Sequence, residues 1–164
     1  MVEMELLGVR LELPANTPIV LLQEAAGRKR LLPIFIGNQE AAAIAYALEG
    51  VQTPRPLTHD LLKDVVEGLG AEVVRVVITE MHDHIYFADL QLKLGDDICH
   101  VSSRPSDAIA LAVRAGAPVF AMEALLDEVG QEPAPVEAEP VAQDEILEEF
   151  RDFIEHVSPE DFGS

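Results

Sequence analysis

Leu32 to Gly50 reads LPIFIGNQEAAAIAYALEG, and the whole architecture can be built outward from it. Its first half is a short apolar run, Leu31 to Ile36, of strand length. Gly37 and Asn38 end that run, and Glu40 to Leu48 follows with strong helix formers until Gly50. Upstream, Met4 to Leu13 carries Leu6, Val9, Leu11 and Leu13 and stops at Pro14, which predicts a first strand. Thr17 to Gln23 (TPIVLLQ) predicts a second, joined to Leu31 to Ile36 by the polar, glycine-containing turn Glu24 to Arg30. Downstream lies the proline-rich connector Thr53 to Pro56. After it Thr58 is placed to cap a helix in which Leu61, Leu62, Val65, Val66 and Leu69 recur at helical spacing before Gly70.

The same grammar then starts again. Glu72 to Met81 and Ile85 to Leu94 predict two strands meeting at His82 to His84, and Asp97 to Val101 predicts a third. Ser103 to Asp107 supplies serine, proline and aspartate where a helix start wants them, and Ala108 to Ala115 continues to Gly116. Pro118 to Met122 predicts a short strand and Glu123 to Val129 a last short helix. Aligning the halves sets Glu40 to Ala45 against Asp107 to Ala112, an offset of 107 − 40 = 67, and Leu61 to Val65 against Leu125 to Val129, an offset of 125 − 61 = 64. The expectation is an α+β fold of duplicated β2α2 units with a mixed or antiparallel sheet. Each unit offers one half-covered sheet face, and pairing the units closes a common core.

Composition bounds the function. With 49% apolar residues the chain can bury a core, which excludes a disordered protein. No apolar run approaches the roughly 20 residues that cross a bilayer, and a lone Cys99 supplies neither a disulfide nor a thiolate cage. A cytoplasmic protein without membrane contact is expected, with Cys99 as a small, half-buried side chain. The charge is 11 − 30 = −19, of which residues 131–164 hold 1 − 11 = −10, leaving −9 on the body. Nucleic acid is repelled at long range, so a polyanion needs a local basic pocket or bound metal ions. Residues 131–142 are proline, alanine and glutamate, a flexible linker. Residues 143–164 form an acidic tail whose Ile146, Leu147, Phe150, Phe153, Ile154 and Val157 make an amphipathic helical stripe, suited to docking on the body or on a partner protein.

Three polar clusters stand at element ends. Pro54 to Asp60 (PRPLTHD) delivers Arg55, His59 and Asp60 to a helix start, where free N–H groups favour anions. Ser102 to Asp107 (SSRPSD) places Arg104, Ser106 and Asp107 at another, although capping by Ser103 or Ser106 accounts for much of that pattern. Glu80 to His84 (EMHDH) lies at a hairpin, where a polar tip is the plain reading and a metal ligand the sharper one. Plain capping, with His59 and Asp60 as first-turn residues, is the alternative at the first cluster; taken with the resemblance given below, the clusters suggest a hydrolase site, with His59, Asp60 and Asp107 catalytic and Arg55, Arg104 and Ser106 gripping phosphate. Asp60, Asp107 and Glu80 would hold a divalent ion, Mg²⁺ or Mn²⁺. The competing reading is a non-catalytic anion-binding or assembly module, and alanine-rich helix faces at Ala41 to Ala47 and Ala108 to Ala115 also suit a homo-oligomer.

The segments RPLTHDLL (Arg55 to Leu62), SRPSDAIALA (Ser103 to Ala112) and LPIFIGNQEAAAIAYALEG resemble the bifunctional nuclease domain family. The resemblance covers residues 1–130 and leaves the tail outside. It implies repeated β2α2 units and an ability to degrade both DNA and RNA. Arg55, His59, Asp60, Arg104, Ser106 and Asp107 fall within the family's typical motifs.

Overall fold

A computed structural model describes residues 1–133; the helix expected over 143–164 and most of the linker lie outside the described residues. The strands are β1 (Val2–Glu12), β2 (Thr17–Glu24), β3 (Leu31–Phe35), β4 (Ala71–His82), β5 (Ile85–Leu94), β6 (Asp97–Ser103) and β7 (Val119–Ala121). The helices are α1 (Asn38–Leu48), α2 (Thr58–Gly68), α3 (Pro105–Ala115) and α4 (Glu123–Val129). All seven strands form one mixed sheet in the order β3-β2-β1-β7-β4-β5-β6. β7 runs parallel to β4 and antiparallel to β1, and the remaining neighbours are antiparallel. The chain is therefore α+β.

Local chemistry explains these elements. Pro33 sits in β3 because β3 is an edge strand, where a missing N–H breaks no ladder. β4 is rich in valine and isoleucine, and its hairpin to β5 turns on Asp83 and His84, both at positive φ (49° and 64°). That is the two-residue turn whose twist matches the strands. Pro105 opens α3 at a position needing no N–H, and Gly116, left-handed at φ 66°, closes it. Gln131 exchanges two backbone hydrogen bonds with Leu31, which fastens the end of the described chain to the edge of the sheet.

One face of the sheet carries Val20, Leu22, Leu32, Ile34, Val76, Ile78 and Leu90 into a core shared with Ile44 of α1, Ile109 and Leu111 of α3 and Leu126 of α4. Nine of these large side chains are fully buried. At roughly 1.5–3 kcal/mol each they outweigh the surface ion pairs, worth about 0–1 kcal/mol apiece. Ala41, Ala42 and Ala45 face inward from α1 and Ala108, Ala110 and Ala112 from α3, so the two helices lie close to each other and to the sheet.

The element order runs three strands and two helices, then again three strands and two helices, with β7 placed between the last two helices. α1 and α3 begin 105 − 38 = 67 residues apart, the offset found between Glu40 and Asp107. Each run holds three strands where the expected unit had two. β7 fills the centre of the sheet, pairing with the first strand of each run.

Local expectations fail at a few places. Thr58 does not cap α2; the Asp60 carboxylate instead reaches back to accept the Leu57 N–H at 2.9 Å. Neither Ser103 nor Ser106 caps α3, since Arg104 occupies that position and Ser106 is buried. Cys99 is exposed, because β6 is the other edge strand. The spacing in α2 left open which way its apolar row turns, and the row does not face the core. Only Val66 is buried, while Leu57, Leu61, Leu62, Val65 and Leu69 are exposed.

Candidate functional site

The starts of α2 and α3 lie side by side, and the side chains of their first turns meet. Asp107 Oδ2 accepts from Arg104 Nε at 2.7 Å, and Asp107 Oδ1 accepts from Arg104 Nη2 at 3.1 Å, a two-pronged pair that fixes the carboxylate plane. His59 Nε2, on α2, lies 3.1 Å from the same Oδ1. Arg104 Nη1 forms an ion pair with Glu40 of α1 at 3.0 Å. Three helices thus contribute to one chain of contacts, His59 to Asp107 to Arg104 to Glu40.

A second tie fixes the geometry from below. The almost buried Arg114 of α3 donates from Nε to Asp60 Oδ1 at 2.6 Å, and from Nη1 to the Ala43 and Ala110 carbonyls at 2.9 Å each. Asp60 therefore holds the α2 start on the α1–α3 pair and sets the rotation that turns the apolar row of α2 outward. Arg114→Ala is expected to lose about 2 kcal/mol of stability, because two helix carbonyls and a carboxylate lose a charged donor together. A urea midpoint measured on the full chain checks this, and Arg114→Lys, with no fork, should recover only part of it.

Electrostatics follow from these contacts. Burial pushes the Asp107 carboxyl up, but the hydrogen bonds from Arg104 and His59 outweigh it and hold the group below the ordinary carboxylate range. Burial likewise opposes ionisation of Asp60, and Arg114 with the Leu57 N–H prevails. The Arg104 guanidinium is pushed up, chiefly by its hydrogen bonds with Asp107. At neutral pH the site holds two guanidinium charges against three carboxylates.

Two depressions meet at this cluster. The larger, about 750 Å³, lies between α1 and α2 and is lined by Tyr46, His59 and Leu62, with Glu40, Arg104 and Asp107 at one wall. The smaller, about 350 Å³, lies where the end of β3 and the β4–β5 turn approach the start of α3. Glu40 and Arg104 belong to both linings, so the ion pair forms the sill between them.

The fold brings together His59, Arg104 and Asp107 from the expected set, holds Asp60 on Arg114 at the start of α2, and buries Ser106 in the wall of the smaller depression. Arg55 stays on the exposed connector and lines neither depression. Glu80 lies near the far end of β4, its carboxylate 3.1 Å from His82 Nε2. The three carboxylates expected to hold a divalent ion do not meet as one set. Asp60 and Asp107 are each engaged by an arginine, and among the described residues no group of three or more histidine, cysteine or acidic side chains is arranged to hold a metal. Asp60, Asp107 and Glu80, so arranged, do not form one three-carboxylate site. Two participants were absent from the expected set. Glu40 was signalled by its alignment with Asp107, whereas Arg114 reaches 54 residues along the chain to Asp60, for which sequence spacing gives no signal.

Comparison with known proteins adds an independent line. Residues 20–134 match the sequence model of a family described as "Bifunctional nuclease domain". An uncharacterized protein of Mycobacterium tuberculosis is 42% identical over 163 residues, 98% of this chain and 97% of its own length. Arabidopsis thaliana proteins named Bifunctional nuclease 2 and Bifunctional nuclease 1 are 37% identical over 103 residues and 34% over 108. Those alignments cover 61% and 64% of this chain but only 31% and 33% of the plant proteins, so the chain spans about a third of their length. No helix among the described residues is long and apolar enough to cross a membrane.

Proposed function

The chain belongs to the bifunctional nuclease domain family, and from that membership we propose that it hydrolyses phosphodiester bonds in DNA and RNA at the cluster where α2 meets α3. The observation that carries the reading is the His59–Asp107–Arg104 arrangement at the wall of an open groove. A carboxylate that holds one imidazole nitrogen fixes the ring and leaves the other nitrogen for proton transfer. His59 takes a proton from the attacking water and returns it to the leaving oxygen. Arg104, itself 65% exposed, offers its guanidinium to the phosphate by exchanging the Glu40 contact. Arg104 is the cation at the groove wall that meets the phosphate, on an acidic body that lacks a broad basic face.

The test is cleavage of end-labelled single strands of DNA and RNA by the purified full chain, with and without a chelator. Cleavage that disappears in His59→Ala supports the reading. Cleavage that persists unchanged in that variant, with the fold intact by circular dichroism, assigns it to another site or a contaminant.

A second reading, an assembly module, is favoured by one separate observation. Leu57, Leu61, Val65 and Leu69 repeat every four residues along α2 and are exposed, Leu69 by 74%, with Leu62 beside them. Such a ridge suits packing against its own copy about a two-fold axis, with the exposed Val51 near its start beside Leu57. The exposed apolar area is on the order of several hundred Å², near what one partner contributes to a stable dimer. The exposed acidic side chains Asp64 and Glu67 lie on a different flank of the helix by its 100° step, so a two-fold pairing leaves them in water. Light scattering of the full chain should give a dimer, and the pair Leu61→Glu with Val65→Glu a monomer of unchanged helicity. A wild-type chain that is monomeric at every concentration would refute self-association.

A further inference from the structure

We infer that the smaller depression beside Arg104 is a nucleobase subsite, and hence that the site takes single-stranded rather than duplex nucleic acid; this rests on the hydrolysis reading above. Phe35 is 58% exposed at the end of β3, and Ile85 and Tyr86 stand opposite it at the β4–β5 turn. An aromatic face and aliphatic neighbours around about 350 Å³ make a space at the small end of ligand sites, suited to one base. His84, held at φ 64° by the turn, lines the same wall.

The position of this space gives it meaning. It opens on the far side of the Glu40–Arg104 pair from the larger groove, so a phosphate held at Arg104 would place the base of an adjoining nucleotide against Phe35 and leave the rest of the strand in the groove. Stacking on an aromatic side chain tolerates any base, because every base has a π face. That fits an enzyme acting on both DNA and RNA. A base within a duplex presents only its edge and would have to be unstacked first, at a cost of a few kcal/mol. Affinity from stacking also offsets the repulsion from an acidic body, which a contact made of phosphates alone could not.

The experiment uses the full chain and a short fluorescent phosphorothioate strand, alone and annealed to its complement, read by anisotropy at fixed ionic strength. The single strand should bind at least roughly tenfold more tightly than the duplex. Phe35→Ala should weaken the single strand by roughly tenfold, the size of one base–aromatic stack, while Phe35→Trp keeps its affinity. Phe35 is exposed, so its loss does not threaten the fold, and circular dichroism confirms that. Equal binding of duplex and single strand, or unchanged binding in Phe35→Ala by a protein that still cleaves, overturns the subsite and leaves the hydrolysis reading standing. A wild-type chain that neither binds nor cleaves either strand overturns both.

Discussion

Replacing Arg30 with alanine is expected to lower the unfolding free energy by about 3 kcal/mol, with a melting temperature lower by roughly 10 °C. Arg30 and Glu24 are each only 3% exposed. The Glu24 carboxylate accepts from Arg30 Nη2 at 2.6 Å, from Nε at 3.1 Å and from the backbone N–H of Arg30 at 2.8 Å. The same guanidinium reaches Glu123 at 2.8 Å and Asp127 at 2.7 Å, clamping α4 onto the β2–β3 turn. Without it, Glu24 is a buried charge with no cation. Glu123 and Asp127 are half exposed and rehydrate at once, which places the loss at the low end for a broken buried pair. The double change Arg30→Met with Glu24→Leu should recover most of the stability, since removing both charges leaves nothing unpaired. The Arg30 hydrogen bonds hold the Glu24 carboxyl below its ordinary range. Its contribution is therefore complete above the ordinary glutamate pKa of about 4.3 and is lost as pH falls through the lowered value. A wild-type stability profile flat between neutral pH and about 5, and falling only below that, is expected of this pair. Arg28→Ala, a change at the exposed neighbour that shares Glu123 and Asp127, should alter stability little.

The β-branched strands, the alanine helices and their stops at Gly50, Gly70 and Gly116 were legible because each is decided by neighbours in sequence. Leu31 to Phe35 could be read as a strand in spite of Pro33 because proline is tolerated at an edge, although only the sheet order shows that β3 is one. The central place of β7 was not legible. Three residues long, it owes its position to distant partners, Val119 pairing with Met4, 119 − 4 = 115 residues before it, and with Val76 on its other side. The outward face of α2 was not legible for a related reason. Periodicity shows that a helix has an apolar side, but which side meets the core is set by the Asp60–Arg114 tie, a contact with no local signature.

The site was half legible. Helix starts carrying arginine, histidine and acid can be found by scanning, and His59, Arg104 and Asp107 do meet. Their partners cannot be found that way, since Asp60 and Asp107 share a helix-start role in the sequence yet are satisfied by different cations, Arg114 and Arg104. Arg55 shares the arginine-at-a-helix-start signal with Arg104, yet Arg104 is the arginine that lines both depressions and Arg55 lines neither. Glu80 looked like a ligand because histidines flank it. A two-residue turn instead puts it beside His82 on an exposed hairpin end.

Asp107→Asn should reduce cleavage of single strands by about 10²- to 10⁴-fold, the range for loss of organised proton transfer. An asparagine has one carbonyl oxygen where the carboxylate has two acceptors, so it cannot serve both Arg104 nitrogens and orient His59 as well. Stability should change by less than about 1 kcal/mol, because Asp107 is 31% and Arg104 65% exposed, and such pairs contribute little to folding. The contrast between a large kinetic loss and a small stability change separates chemistry from architecture. His59→Ala should cost a similar factor, and the double variant should be little worse than either alone, since the two act as one unit. Arg104 and His59 hold the Asp107 carboxyl below the ordinary range, so its charge is present above roughly pH 4 and is lost only as pH falls through that lowered value. Any decline in kcat/KM at higher pH than this belongs to a different group. Additive losses in the double variant would mean that Asp107 and His59 serve separate functions, and the proton-transfer pair would then have to be abandoned even if both residues proved essential.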